Sequence, residues 1–437
     1  MDKLNIEGRW WIAGTDNVVP GTLIRDENGL RLELNGSFTE RTDEEIRKSF
    51  SQKKGLIFPS NEETILGITK DGKPITLEYY AIKEGKIFII GPGYDSESYP
   101  VHRFFENVHF PNPKEIKFKK MIVSLPYLFD WTDIKLVEAT RTYDDNNKPL
   151  SACFKCSPGE NTHLGEYGGL KIYLRTFVTT PFFPTAEIKI KQDTHLVLES
   201  KNKLEISIED FKVILFSIRD FLSMAIGCDV LIQHVIAFAD TNQRIISKEK
   251  TYNPEVIVHE NFLQPRAVPV KNIRKELMSF TLNDLLPNPE IIINSWLNMS
   301  RDMKDVFNLY FSTLTTSSLN IRNKFLSIVS AIEGIVRSDR SMRNTDLKPI
   351  LQSIHNSIKK YGHLFADDEF EIIANSRNKF THIELRDPSK KIFKNHELND
   401  VTKKLSAMLE IRMLMNLGFK DETLDRIAKQ KIVEAKR

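Results

Sequence analysis

Over roughly the first 200 residues, apolar positions tend to alternate with polar ones in short runs bounded by Asn, Asp and Gly. Gly21–Arg25, Leu30–Leu34, Ile75–Tyr80, Lys86–Ile90, Leu170–Leu174, Ala186–Lys191 and Leu204–Ile208 are such runs. Period-two runs of this length predict strands of an antiparallel sandwich or barrel. One short helix is expected among them, starting at a capping box formed by Thr42 to Glu45.

The period changes at Ser207. Phe211, Leu215, Ile218, Leu222 and Ala225 recur at three- and four-residue intervals behind a cap of Ser207 and Asp210, and Gly227 suits the helix end. A Pro-containing stretch over 248–289 reads as a linker. Beyond it, helices are expected at 291–314, 320–338, 346–361, 367–382, 397–417 and 421–435, with Gly362 and Gly418 as stops. The predicted fold class is α+β multidomain: an antiparallel β-rich domain over 1–247 with a helix near 208–226, then an α-helical bundle over 290–437.

Charge divides the chain as well. Residues 301–437 hold 25 Lys and Arg against 18 Asp and Glu, a balance of +7, while residues 1–300 hold 37 against 41, a balance of −4. A basic carboxy-terminal half suits a polyanionic partner, although a solvated Lys-rich surface has the same composition. Three cysteines, Cys153, Cys156 and Cys228, make no disulfide framework and fit a reducing compartment. Met1 to Asn5 lacks the apolar core of a signal peptide, and the most hydrophobic stretch, Phe211 to Ile232, is broken by Arg219 and Asp220. A cytoplasmic protein is expected.

The candidate chemistry lies in Arg377-Asn378-Lys379-Phe380-Thr381-His382. A fixed cation, an amide and a titratable imidazole within two helical turns suit attack on a phosphodiester, and so RNA cleavage. Arg103 and His109 repeat the loose spacing among strand and loop signals, and are read as a chance match. On a helix Asn378 and His382 would share a face, with Arg377 about 100° away.

With its neighbours, this string resembles the HEPN superfamily of ribonucleases: an apolar helix over Phe325–Val336 carries one acid, Glu333, ahead of the motif. Gly8 to Trp11, Phe221 to Gly227 and Ala331 to Gly334 are similar to the ApeA family of bacterial phage-defence proteins. The resemblance implies Arg377, Asn378 and His382 as catalytic residues, Glu333 at the family's acidic position and Lys379 beside them. It also implies a homodimer that brings two motifs into one cleft, metal-independent cleavage leaving a 2′,3′-cyclic phosphate, no cofactor, and an amino-terminal half that senses a phage-derived trigger.

The competing readings are structural. Arg377 would pair with Glu371 or Glu384 at a helix end while His382 caps carbonyls. Cys153 and Cys156 have the spacing of half a zinc knuckle, with His163 nearby, yet two thiols in a turn explain them as well. Trp10 and Trp11 fit core packing better than base stacking. Arg337, Arg340, Arg343, Lys403, Lys404, Lys429, Lys431, Lys436 and Arg437 are candidate RNA guides or merely a polar surface. The alternatives to a metal-independent endoribonuclease are a non-catalytic RNA-binding or dimerisation scaffold, and a metal-dependent hydrolase, which lacks a cluster with ligand spacing.

Overall fold

The fold is described from a computed structural model, for residues 3–38, 64–79, 84–86, 96–180, 189–202, 204–242, 244–247, 250–260, 273–316, 318–337, 342–382 and 390–436. The expected capping box at Thr42–Glu45, most of the expected strand at 86–90 and much of that at 186–191 lie outside these residues.

The alternation in the first hundred residues closes into a barrel. Strands β1 (Leu4–Ile12), β2 (Val19–Asp26), β3 (Gly29–Leu34), β4 (Ile65–Thr69), β5 (Pro74–Tyr79) and β7 (Ser96–Glu106) pair antiparallel in the order β7-β3-β2-β1-β4-β5, and β5 returns to β7. Every second side chain points inward. Trp10, Leu23, Leu32, Ile65, Ile75, Leu77, Tyr99 and Phe104 fill the interior. Trp10 is wholly buried and its indole N–H donates to the Gly21 carbonyl at 3.1 Å. Trp11 is half-buried against His109, so core packing accounts for the tryptophan pair.

Strand β7 carries β3 along Glu97–Pro100, β5 along Val101–Glu106 and β19 (Val256–Glu260) along Arg103–Glu106. From β19 an open arm runs through β16 (His234–Phe238), β9 (Lys120–Ser124), β14 (Lys191–Ser200) and β13 (Leu170–Thr179) to β12 (Glu160–Tyr167). A separate hairpin, β10 (Val137–Tyr143) with β11 (Pro149–Cys156), is exposed along almost its whole length, and the short strands β6 (Glu84–Lys86), β8 (Lys117–Phe118), β15 (Ile206–Ser207), β17 (Arg244–Ser247) and β18 (Lys250–Tyr252) make minor pairings. The stretch expected as a linker is therefore not all connection. The apolar Val256 and Val258 alternate within it and enter the core as β19, despite the surrounding prolines.

Numbering the helices in chain order, α1 is Leu128–Thr132 and α2 is Ile208–Ile226. Helix α2 begins at Ser207, whose hydroxyl accepts from the Asp210 amide at 3.2 Å, and stops at Gly227 with φ of 82°. Its apolar face covers the inner face of the open arm. The remaining α-helices among the described residues are α3 (Leu282–Leu285), α4 (Pro289–Asp302), α5 (Lys304–Thr315), α6 (Ile321–Arg337), α7 (Leu347–Ile358), α8 (Glu369–Thr381), α9 (Asn395–Leu414) and α10 (Asp421–Ala435). The single helix expected over 291–314 is broken at Met303, and the break folds Phe307 back to within 4.8 Å of Trp296, ring centre to ring centre. The core under the open arm continues through these helices without interruption.

Arg103 is a structural hub. Its buried guanidinium donates to Glu78 at 2.5 Å and Glu209 at 2.9 Å, tying the barrel wall to α2, while the His109 ring meets the Gly67 carbonyl at 2.9 Å. The second Arg–His spacing thus serves folding.

Gly67 sits under Trp10, where an added Cβ would lie 2.2 Å from the indole. The ring has no room to retreat, so Gly67→Ala is expected to lower stability by about 1–3 kcal/mol in denaturant titration.

Candidate active site

Helix α6 buries Phe325, Ile328, Val329, Ile332 and Ile335, and Glu333 is buried among them with its side chain 8% exposed. A carboxylate in such surroundings demands cations. Arg337, one turn on, donates to it at 3.0 Å, and Arg377 reaches it from α8 at 3.2 Å. The Arg377 guanidinium also donates to the Asn378 side-chain oxygen at 3.2 Å. The helical angle between these neighbours is thereby bridged by the length of the arginine.

Glu371, one of the two partners expected for Arg377, instead pairs with Lys348 at 2.9 Å, and Glu384 lies outside the described residues. Helix α8 stops at Thr381, one residue earlier than expected. His382 is extended there, with φ of −121° and ψ of 103°, and only its backbone N–H caps the Asn378 carbonyl, at 2.9 Å. The Thr381 hydroxyl donates to the Arg377 carbonyl at 2.9 Å, so a neighbour does the capping expected of the imidazole. Asn378, Lys379 and His382 are exposed at one helix end.

Two residues that hold this end were not visible as site residues in the sequence. Ser376 is fully buried, donates to the Ile372 carbonyl at 2.7 Å and accepts from the Phe393 amide at 2.9 Å, pinning the returning chain to α8. Phe380 packs edge-on against Phe325 and lies under the Arg322 guanidinium at 5.2 Å. Arg322, Lys379, Phe380, Phe393, Lys394 and Asn395 line an open groove beside the motif. A small polar residue at a core position of a helix is the one signal that marks Ser376 in the sequence.

The other candidates divide. Lys404 donates to Glu369 at 3.1 Å and lies over the Phe365 ring, and buried Lys431 binds Glu410 and, at 2.9 Å, Ser279, so both serve packing. Lys429 pairs with Asp425 at 2.7 Å, Lys403 lies 3.9 Å from Asp400, and Arg340 and Arg437 are outside the described residues. Cys156 is registered opposite Val137 and Cys153 opposite Thr140 on the exposed hairpin. Positions three apart on a strand face opposite ways, so these thiols do not converge on one metal. Among the described residues no group of three or more His, Cys, Asp or Glu is placed to hold an ion.

The match to ApeA N-terminal domain 1 spans residues 5–296, two-thirds of the chain. The chain belongs to the ApeA family. Residues 309–423 match the Apea-like HEPN domain, which takes in the whole Glu333–Arg377–His382 arrangement and supports a nuclease role. No curated protein and no solved structure matches this ApeA chain. No described helix is long and apolar enough to cross a membrane.

Two measurements probe the platform under the motif. Ser376→Ala leaves the Phe393 amide without its acceptor, which should cost about 1–3 kcal/mol and speed hydrogen exchange at that amide. His355 of α7 is 3% exposed against Phe370 of α8, and burial, then His363 and Lys359, lower its pKa from the usual 6.5 against the opposing pull of Asp367 and Glu369. Unfolded chains then bind more protons, so stability should fall as pH drops below about 6.5. His355→Leu should flatten that part of a stability–pH curve.

Proposed function

We propose that this protein is a metal-independent endoribonuclease of an anti-phage defence system, acting as a homodimer whose two motifs form one cleft. The observation that carries the reading is the pairing of a guanidinium oriented by a buried acid with an exposed imidazole at the same helix end. In the reaction, a His382 imidazole takes the proton of a ribose 2′-hydroxyl, and the 2′-oxygen attacks the adjacent phosphorus. The bond from phosphorus to the 5′-oxygen breaks as that oxygen receives a proton. The products are a 2′,3′-cyclic phosphate and a free 5′-hydroxyl.

Base and acid are needed at once on opposite sides of the phosphorus, and each chain supplies one such imidazole. A two-fold pair supplies both. Arg377 steadies the charge that builds on the phosphoryl oxygens, and Asn378 orients it. The groove with Arg322, Lys379 and Lys394 suits the flanking RNA strand. The β-rich half restrains this activity until it meets a phage-derived trigger. Because Arg377 already has a carboxylate partner, a scaffold in which this arginine only holds two helices together is the second reading.

The two separate on full-length protein purified from phage-infected cells, so that the trigger is supplied, and given RNA in excess EDTA. Wild type is expected to cleave and to sediment as a dimer, while His382→Ala and Arg377→Ala lose about 100-fold or more in rate with unchanged circular dichroism. Full activity in either variant would remove the motif from the chemistry. Activity lost in EDTA and restored by Mg²⁺ would favour a metal-dependent hydrolase.

A further inference from the structure

In the open arm, β13, β14, β9 and β16 lie side by side, and Leu174, Leu196, Val123 and Val235 of one face join the core with α2. An opposite face met only by water would carry polar residues. Here the register instead lines up Tyr173, Val197, Ile122 and Ile236 in a row across all four strands, with Phe238 on the adjoining row and Phe177 two rows away on β13. None of these six belongs to the core beneath α2; Val197 is wholly buried by its neighbours and the other five are half-buried.

Cations accompany the apolar row. The Lys120 ammonium stands 5.9 Å from the Tyr173 ring centre, and Arg175, between Tyr173 and Phe177 on β13, is exposed. The carboxylates nearby are engaged: Glu199 accepts from the Tyr173 hydroxyl at 2.7 Å, and Asp193 from Lys191 at 2.7 Å. Two grooves meet at Phe177, one lined by Lys120, Cys156, Tyr173 and Arg175, the other by Ser124, His195 and His234.

Each of the four strands is hydrogen-bonded on both sides, so the face has no free backbone edge for an added peptide strand. It offers rings and cations. Tyr173 and Phe177, four apart on β13, stand about 13 Å apart with Arg175 between them, which lets each ring stack a base of an extended chain while the cations meet the phosphates. We propose that this sheet face binds single-stranded nucleic acid, with Tyr173 and Phe177 as stacking platforms and Lys120 and Arg175 as phosphate contacts. The face shares no residue with the Arg377 motif, and its binding does not depend on cleavage there.

The test uses full-length His382→Ala protein, so that no cleavage intrudes, with short fluorescein-labelled RNA and DNA single strands of one sequence followed by anisotropy. Phe177→Ala and the double change Lys120→Glu with Arg175→Glu are each expected to weaken binding about tenfold or more, and the two strands compared show which sugar is preferred. Bound oligonucleotide should slow alkylation of Cys156, which lines the groove, and spare Cys153 on the other face of the hairpin. No measurable binding, or unchanged affinity in both variants with equal alkylation of Cys156 with and without oligonucleotide, overturns the proposal and leaves the face to a protein partner.

Discussion

Trp296 joins the sheet half of the chain to the helical half. Its ring is fully buried between Phe221 of α2 and Phe307 of α5, and its indole N–H donates to the Ser217 carbonyl of α2 at 2.7 Å. A buried indole N–H without an acceptor is costly, so α4 has one lateral position on α2. From that position the break at Met303 returns α5 onto the same ring and onto α6, while α7 packs against both α6 and α8. The second tie is polar: the Ser279 amide donates to the Ala225 carbonyl at 2.7 Å, while its hydroxyl accepts from Lys431, whose carboxylate Glu410 also accepts from Tyr310 at 2.6 Å. Burial, then Glu410, raises the Tyr310 hydroxyl well above its ordinary pKa. This set therefore stays a hydrogen-bonded unit at ordinary pH.

Within the helical half the organising constraint is electrostatic. Removing one cation from Glu333 would leave a buried charge half-compensated, which is far worse than never having buried it. Arg337 comes from the same helix and cannot orient a neighbour. Arg377 crosses from α8, so the need of the carboxylate becomes a positional restraint on the motif. The same acid serves folding and site geometry, so stability and activity at this position are hard to separate by substitution at Glu333 alone.

Much of the fold was legible because local pattern and burial agree. Leu30, Leu32 and Leu34 alternate and all three are buried, and Phe211 to Ala225 face one core as their spacing implies. What the pattern did not show depends on long-range pairing. Barrel closure rests on β7 meeting β3 and β5 at different stretches of its length, and β19 is too short and too close to prolines to stand out. The motif was legible as a string, and Glu333 through family likeness. The Glu333–Arg377 bond joins residues 44 apart, beyond the reach of any helical period, so nearby Glu371 was the natural wrong partner. The end of α8 turns on one residue, a precision that periodicity does not have.

Helix α9 connects the polar tie to the motif helix. Its Glu410 holds Lys431 beside α2, and its Lys404 donates to Glu369 at the start of the motif helix, at 3.1 Å. A packed route from the sheet half to α8 therefore exists, but a route carries a signal only where some link has two stable arrangements. The buried Lys431–Glu410–Tyr310 set is a poor choice, since displacing any member strands a charge or a hydroxyl. Arg377 differs in kind: its side chain is 29% exposed, and a guanidinium with five N–H donors can meet a phosphate oxygen while keeping its bonds to Glu333. Under the proposed reading the buried carboxylate keeps its cation while the exposed side of the guanidinium meets the phosphate, so the contact that fixes the motif at rest also holds it in use.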